Sequence, residues 1–293
     1  MNQSKSYPKV LSIAGSDSSG GAGIQADLKT FSALGVYGAT AITAITAQNT
    51  QGVNSQFALE PQMVYDQIAA VMDDIEPSVV KIGMLSNTAI VEAVAKALHD
   101  YKPSFIILDP VIVSSTGHRL LSIEAQETIK EKLIPIADLL TPNIPEMKAL
   151  TDSSLLSLEE KKEAAQQLFN LGAKAILLKG GHEEGEIKKD YLFFNGLKAK
   201  DKSLKSASVS MSASESVSAY SSETVVTKNT HGTGCTLSSA IAAFIARGLS
   251  LEDAISEAKN YVTEAIRAGA DINIGKGIGP VNHAFNPQKM IVL

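Results

Sequence analysis

Thr230-His231-Gly232-Thr233-Gly234-Cys235 runs directly into Thr236-Leu237-Ser238-Ser239-Ala240-Ile241-Ala242-Ala243, a good helix former. Glycines immediately before a helix let successive backbone N–H groups converge on an anion, and the helix N-terminus adds positive partial charge. Phosphoryl transfer depends on stabilising charge spread over the transferred oxygens, so the turn Gly232, Thr233, Gly234 is a candidate anion hole. The plain alternative is a helix cap with flexible glycines, and a Gly-x-Gly alone does not decide between them. Cys235 falls in the first helical turn, where a thiolate is stabilised and its pKa is expected below the roughly 8.5 of a free thiol. Such a thiol could accept the proton of a substrate hydroxyl; otherwise a lone cysteine is a small buried hydrophobe.

A second set of chemical residues lies upstream. Asp109-Pro110 ends one apolar run, and Pro142-Asn143-Ile144-Pro145-Glu146 follows another. Asn143 with Glu146 three residues on has the form of a helix capping box. Equally, Asp109, Asn143 and Glu146 could arrange waters around Mg²⁺, a hard cation that takes few carboxylates and keeps several waters. Lys179, ahead of Gly180-Gly181, could reach phosphate oxygens as a point charge, or snorkel at a strand end.

These residues need elements to hold them. Residues 9–14 read as a buried strand running into a loop with four glycines over 15–23. Ile24, Leu28, Phe31 and Leu34 sit at helical spacing, and Gly35 stops that helix. Strands are expected at 38–46, 79–82, 105–109, 138–141 and 175–178. Helices are expected at 61–75, 88–98, 124–133, 157–171, 235–247 and 251–268. Strands alternating with helices of this length indicate a single α/β domain, a mainly parallel central sheet flanked by helices on both faces. In such sheets ligands sit outside the carboxyl ends of the strands, where Gly15, Asp109, Asn143 and Lys179 all fall. Residues 198–222 break the pattern, with Ser at every second position from Ser206 to Ser218. That composition buries little apolar surface, so a mobile surface insertion is expected there rather than a hairpin arm.

The chain has 293 residues, of which 44% are hydrophobic and 19% charged, ordinary for a globular protein with a sizeable core. A net charge of -5 gives no general attraction to nucleic acid or anionic membranes, so phosphates must be held by local groups. One cysteine excludes an intramolecular disulfide and a cysteine-based zinc cluster. With no apolar run of membrane-spanning or leader length, a cytoplasmic location is expected.

Several longer motifs occur in order: 13–27 (IAGSDSSGGAGIQAD), Thr46-Ala47-Gln48-Asn49-Thr50, Lys81-Ile82-Gly83-Met84-Leu85 and Leu108-Asp109-Pro110-Val111. Thr141-Pro142-Asn143, Lys179-Gly180-Gly181-His182, 227–235 (TKNTHGTGC) and Gly277-Ile278-Gly279-Pro280-Val281-Asn282-His283 follow. From about residue 10 to 285 the chain resembles the hydroxymethylpyrimidine/phosphomethylpyrimidine kinases of the ribokinase-like fold. The resemblance implies ATP-dependent phosphorylation of 4-amino-5-hydroxymethyl-2-methylpyrimidine and then of its monophosphate, for thiamine biosynthesis. It implies that Gln48 hydrogen-bonds the pyrimidine edge, which suits a carboxamide that both donates and accepts. Gly15, Asp27, Met84 and Val111 would shape the substrate pocket. Cys235 would stand where most ribokinase-like enzymes place a catalytic aspartate, and act as general base. Asp109, Asn143, Glu146 and Lys179 would serve Mg²⁺ and phosphates, with Lys259 near the nucleotide; a homodimer is implied as well. Two features depart from the family pattern: the Ser-rich stretch replaces a short connection, and His118 and Arg119 follow Ser115-Thr116-Gly117 where an acidic residue is common. Pyridoxal, which also offers a hydroxymethyl group on an aromatic nitrogen ring, is the rival substrate; a non-catalytic ligand sensor is the rival class.

Overall fold

A computed structural model describes residues 5–112, 120–181, 185–195 and 217–293. The chain forms β1 (Lys9–Asp17), α1 (Gly23–Ala33), β2 (Tyr37–Asn49), β3 (Gly52–Ala58), α2 (Pro61–Asp74), β4 (Val79–Ile82), α3 (Thr88–Tyr101) and β5 (Phe105–Leu108). It continues through α4 (Ile123–Lys132), a 3₁₀ turn, β6 (Leu139–Leu140), α5 (Ile144–Thr151), α6 (Leu158–Asn170) and β7 (Ala175–Leu178). β8 (Ile187–Phe194), β9 (Val217–Glu223), α7 (Thr233–Ala246) and α8 (Leu251–Gly269) complete it.

Among the described residues nine strands make one sheet in the order β3-β2-β1-β4-β5-β6-β7-β8-β9. From β2 to β7 all pairings are parallel, while β3, β8 and β9 join antiparallel at the two edges. Strands β4 to β7 are short and wholly apolar except for Lys81, as strands covered on both faces must be. One face carries a core from Val64 and Ile68 of α2 through Val94 of α3 to Leu168 of α6. The other carries Phe31 of α1, Ile241 of α7 and Ile255 of α8. Helix α7 is apolar nearly all round and buried from Thr236 to Phe244, so it runs through the interior. Among the described residues no helix is long and apolar enough to cross a membrane.

The chain winds outward from β1 to β3, then returns to β4 on the other side of β1. That reversal makes the ends of β1 and β4 a switch point, the place where open α/β sheets leave a crevice. Register aligns the neighbouring ends: Ile13 pairs Ile82, Leu108 pairs Leu140, and Asn143 bridges Lys179. Capping boxes at Asn143/Glu146 and Ser157/Glu160 start α5 and α6 where the sequence places them. The expected strands and helices are present, with ends shifted by a few residues.

Three strands exceed expectation. β3 and β9 are half-exposed edges with no continuous apolar face, and β8 opens with the polar run Ile187-Lys188-Lys189-Asp190. Each owes its form to pairing with a neighbour rather than to its own pattern. The expectation of a mobile insertion over 198–222 is corrected at its end: 217–222 belong to β9, paired with β8 from Phe193–Val217 to Ile187–Glu223. The remainder, 198–216, lies outside the described residues, as do His118 and Arg119.

Candidate active site

The turn after Thr230 is set by one glycine. Gly232 has φ +82°, left-handed backbone that favours glycine, and a methyl there would overlap the carbonyl oxygen of Gly21. His231 N–H donates to Gly279 O at 3.0 Å, anchoring the turn to the C-terminal loop. The first intrahelical bond of α7 is Thr236 N–H to Gly232 O at 2.8 Å, so the amides of Gly234 and Cys235 precede it. Thr236 Oγ1 also donates to Gly232 O at 2.8 Å and lies 3.0 Å from Nε2 of buried His283. Burial pushes the His283 imidazole down to about 4, with the charges of Lys29 and His231 acting the same way.

Facing this turn is a buried ionic cluster. Lys179 Nζ donates to Asp109 Oδ1 at 2.7 Å and lies 3.8 Å from Glu146 Oε2. Asp109 also accepts from Thr141 Oγ1 at 3.0 Å and from Ser238 Oγ of α7 at 3.1 Å. Burial pushes the Glu146 carboxyl up to about 7, opposed by Lys179 and reinforced by Asp109. Asp109 is held below the usual range, because Lys179 and Lys81 outweigh its burial. Lys259 Nζ pairs with Asp190 Oδ2 at 2.7 Å, while Asp190 Oδ1 accepts from Gly180 N–H at 2.8 Å. Asp109, Glu146, Lys179, Asp190 and Lys259 line a cavity of about 460 Å³, together with Val111, Cys235 and the apolar Val225, Val262 and Ile266. Among the described residues no three acidic, imidazole or thiol groups form a ready-made metal cluster.

The family model for phosphomethylpyrimidine kinase matches residues 17–282. The chain belongs to that family. It is therefore a small-molecule kinase. It is 43% identical over 275 residues to the hydroxymethylpyrimidine/phosphomethylpyrimidine kinase of Escherichia coli, covering 94% of this chain and 96% of that one. It is 43% identical over 284 residues to a thiamine biosynthesis bifunctional protein of Geobacter sulfurreducens, spanning 54% of that longer protein and 96% of itself. In structure it is similar to an ADP complex of Bacillus subtilis pyridoxal kinase, with TM-score 0.81 and 33% identity over 95% of this chain and 98% of that one.

In this phosphomethylpyrimidine kinase family member, Gly232, Thr233, Gly234, Cys235, Asp109, Asn143, Glu146, Lys179, Lys259 and Val111 all line the one cavity. Asn143 Oδ1 and Glu146 Oε2 are engaged with each other's backbone amides at 2.8 Å, so they cap α5 and border the cavity together. Gly15, Met84 and Gln48 are not among the residues that line it. The Met84 side chain packs on Gly15, where an added methyl would meet it at 2.6 Å. Gln48 is half-buried at the end of β2, with its backbone N–H donating to Ser18 Oγ at 2.8 Å.

Two expectations are corrected. The Cys235 thiol is not acidified: burial pushes it up to about 11, with the Asp27 and Asp109 carboxylates adding to that and only partly offset by the Lys81 ammonium. Desolvation outweighs the helix N-terminus. Asp27 does not line the pocket: it is fully buried one layer beneath, salt-bridged to Lys81 Nζ at 2.9 Å and accepting from Ser12 Oγ at 2.5 Å and Ser239 Oγ at 2.6 Å. Burial would depress Lys81, yet the Asp27 charge holds its ammonium above the ordinary value.

Asp17 was not anticipated. It accepts from Ser19 N–H (2.8 Å) and Oγ (2.7 Å), Gly21 N–H (3.1 Å), Ala22 N–H (2.8 Å) and His231 Nε2 (2.8 Å). Burial raises this carboxyl, but His231, Ser19 and Ala22 together bring it down to about 2. Asp17-Ser18-Ser19 carries a local Asx-turn signal. Its bond to His231 spans 214 residues and has no sequence signal. Asp190 was missed with the strand that carries it.

Proposed function

We propose that the chain catalyses ATP-dependent phosphorylation of 4-amino-5-hydroxymethyl-2-methylpyrimidine and then of its monophosphate. The observation that carries this reading is the cavity between the α7 turn and the Asp109–Glu146–Lys179 cluster. Polyphosphate fits the polar middle, where the Gly234 and Cys235 amides face Lys179; a methyl at Gly234 would lie 3.4 Å from Lys179 Nζ. The apolar end at Val225, Val262 and Ile266 suits an adenine ring, with Lys259 beside the phosphate path. The hydroxymethyl group then sits at the inner end near Cys235, and Gln48, Gly15, Met84 and Val111 surround the pyrimidine.

Asp109 and Glu146 fit Mg²⁺, since two carboxylates with retained waters are its usual protein share, and a Glu146 carboxylate disfavoured by burial gains from a cation. When bound, Mg²⁺ neutralises charge on the transferred phosphoryl group. Lys179 and the α7 amides stabilise the same charge from the protein side. Cys235 rests as a thiol and orients the reacting hydroxyl. Proton transfer to it grows as the thiol ionises toward pH 11.

Pyridoxal phosphorylation is the second reading, favoured by the similarity to the Bacillus subtilis pyridoxal kinase. ADP release with Mg-ATP and each of the three acceptors separates them. Turnover of both pyrimidines is expected. Turnover confined to pyridoxal would replace the pyrimidine assignment, and none with any acceptor would remove the kinase reading.

A further inference from the structure

Four polar side chains meet where the first glycine loop, the end of β2 and the α7 turn converge: Asp17, His231, Gln48 and Thr46. Asp17 has only donors around it, so it acts as an ionised acceptor. His231 Nε2, 2.8 Å from Asp17 Oδ2, must then carry a hydrogen. The same Nε2 lies 3.3 Å from the carboxamide nitrogen of Gln48, and one N–H cannot accept from another. A half-turn of the carboxamide brings its oxygen there, where it shares the one Nε2 hydrogen with Asp17 Oδ2 in a three-centre bond, and the donor count selects that orientation. Thr46 makes the same demand from the other end. Its single hydroxyl hydrogen goes to Ser16 O at 2.9 Å, which leaves a lone pair facing the carboxamide at 3.1 Å. An NH₂ belongs opposite that lone pair.

We propose that Asp17 and His231 are positioning residues that lock the Gln48 carboxamide with its oxygen toward His231, and that this lock admits an aminopyrimidine while rejecting its 4-oxo counterpart. The inference rests on the reading above, in which Gln48 meets the pyrimidine edge. A carboxamide can make four hydrogen bonds; the lock uses one lone pair and one N–H, leaving one of each for a ligand. A 4-aminopyrimidine presents a ring-nitrogen acceptor beside an amino donor. The 4-oxo tautomer reverses that order, with a ring N–H beside a carbonyl. A free carboxamide follows either order by a half-turn, whereas a locked one sets donor against donor for the oxo compound.

The test is kcat/KM with Mg-ATP for 4-amino-5-hydroxymethyl-2-methylpyrimidine and its 4-oxo analogue, in wild type, His231→Phe and Thr46→Val. Wild type should favour the amino compound by roughly 100-fold, the order of the cost of leaving a buried donor and acceptor unsatisfied. His231→Phe should cut that ratio to about tenfold or less, mainly through KM. Thr46→Val, a near-isosteric change at the other anchor, should move it the same way even if His231→Phe folds poorly. Loss of structure alone lowers both substrates together and spares the ratio. No preference in wild type, or a ratio unchanged in variants that still turn over, overturns the lock. A wild type that phosphorylates neither pyrimidine overturns the functional reading beneath it.

Discussion

At the residue scale the decisive balance is between burial and charge around α7. Cys235 sits at a helix start, yet desolvation wins and the thiol is pushed up to about 11. If this residue is the proton acceptor, kcat should rise with pH from neutral toward that value, because the active form is the thiolate. Cys235→Ala should lower kcat by roughly 100-fold and flatten the rise, the scale of a lost general base. A kcat unchanged in the variant, measured from pH 6 to about 10, would end the proton-acceptor role and leave the turn intact. Beneath it, Lys81 and Asp27 are a buried pair whose charges compensate each other. Lys81→Met should destabilise the fold by about 3–5 kcal/mol, since it leaves the Asp27 carboxylate buried without its cation. A denaturant midpoint unmoved by that change would contradict the pairing. That Cys235 begins a helix after two glycines was legible in the sequence, and it lines the cavity. Its protonation was not, because Asp27, Lys81 and Asp109 come to it from three other elements.

At the element scale, the α7 turn keeps its shape because Gly232 allows the chain to pass directly against Gly21. Gly232→Ala should cost roughly 100-fold or more in kcat, as the loss of an aligned backbone donor does. A retained kcat in that variant would show that the amides do not contact transferred phosphate. The alternating strands and helices were legible from periodicity, as were the caps at Asn143 and Ser157, since each signal is complete within a few residues. Strands β3, β8 and β9 were not, because their order comes from the ladder beside them. The serine alternation ending at Ser218 was a true strand signal where it enters β9 at Val217 and Ser218 and β8 supplies a partner. Asp17 and His231 illustrate the same limit: the local Asx turn is readable, the contact across the fold is not.

At the scale of the whole molecule, the outward and returning halves of the sheet create the crevice, and buried ionisable groups make its integrity depend on pH. His283 is held at about 4 against an ordinary 6.5, so it stays neutral when folded and gains a proton on unfolding. Its contribution is complete above 6.5 and is lost as pH falls toward 4. Asp17, held at about 2 against 3.8, contributes above 3.8 and loses that as pH falls through 2. Glu146 runs the other way, its raised carboxyl favouring the folded state as pH falls from 7 to 4.5. Comparing wild type with His283→Asn isolates the first effect: the stability difference between them should shrink from pH 7 to 4. A difference constant over that range would refute the buried neutral imidazole.

The claim on which the rest depends is the identity of the acceptor. Phosphorus NMR of the products formed from 4-amino-5-hydroxymethyl-2-methylpyrimidine and Mg-ATP tests it directly. The predicted result is a phosphomonoester signal that gives way to the paired signals of a pyrimidine diphosphate. ADP appearing with inorganic phosphate alone, or a phosphoester formed only when pyridoxal replaces the pyrimidine, would contradict it.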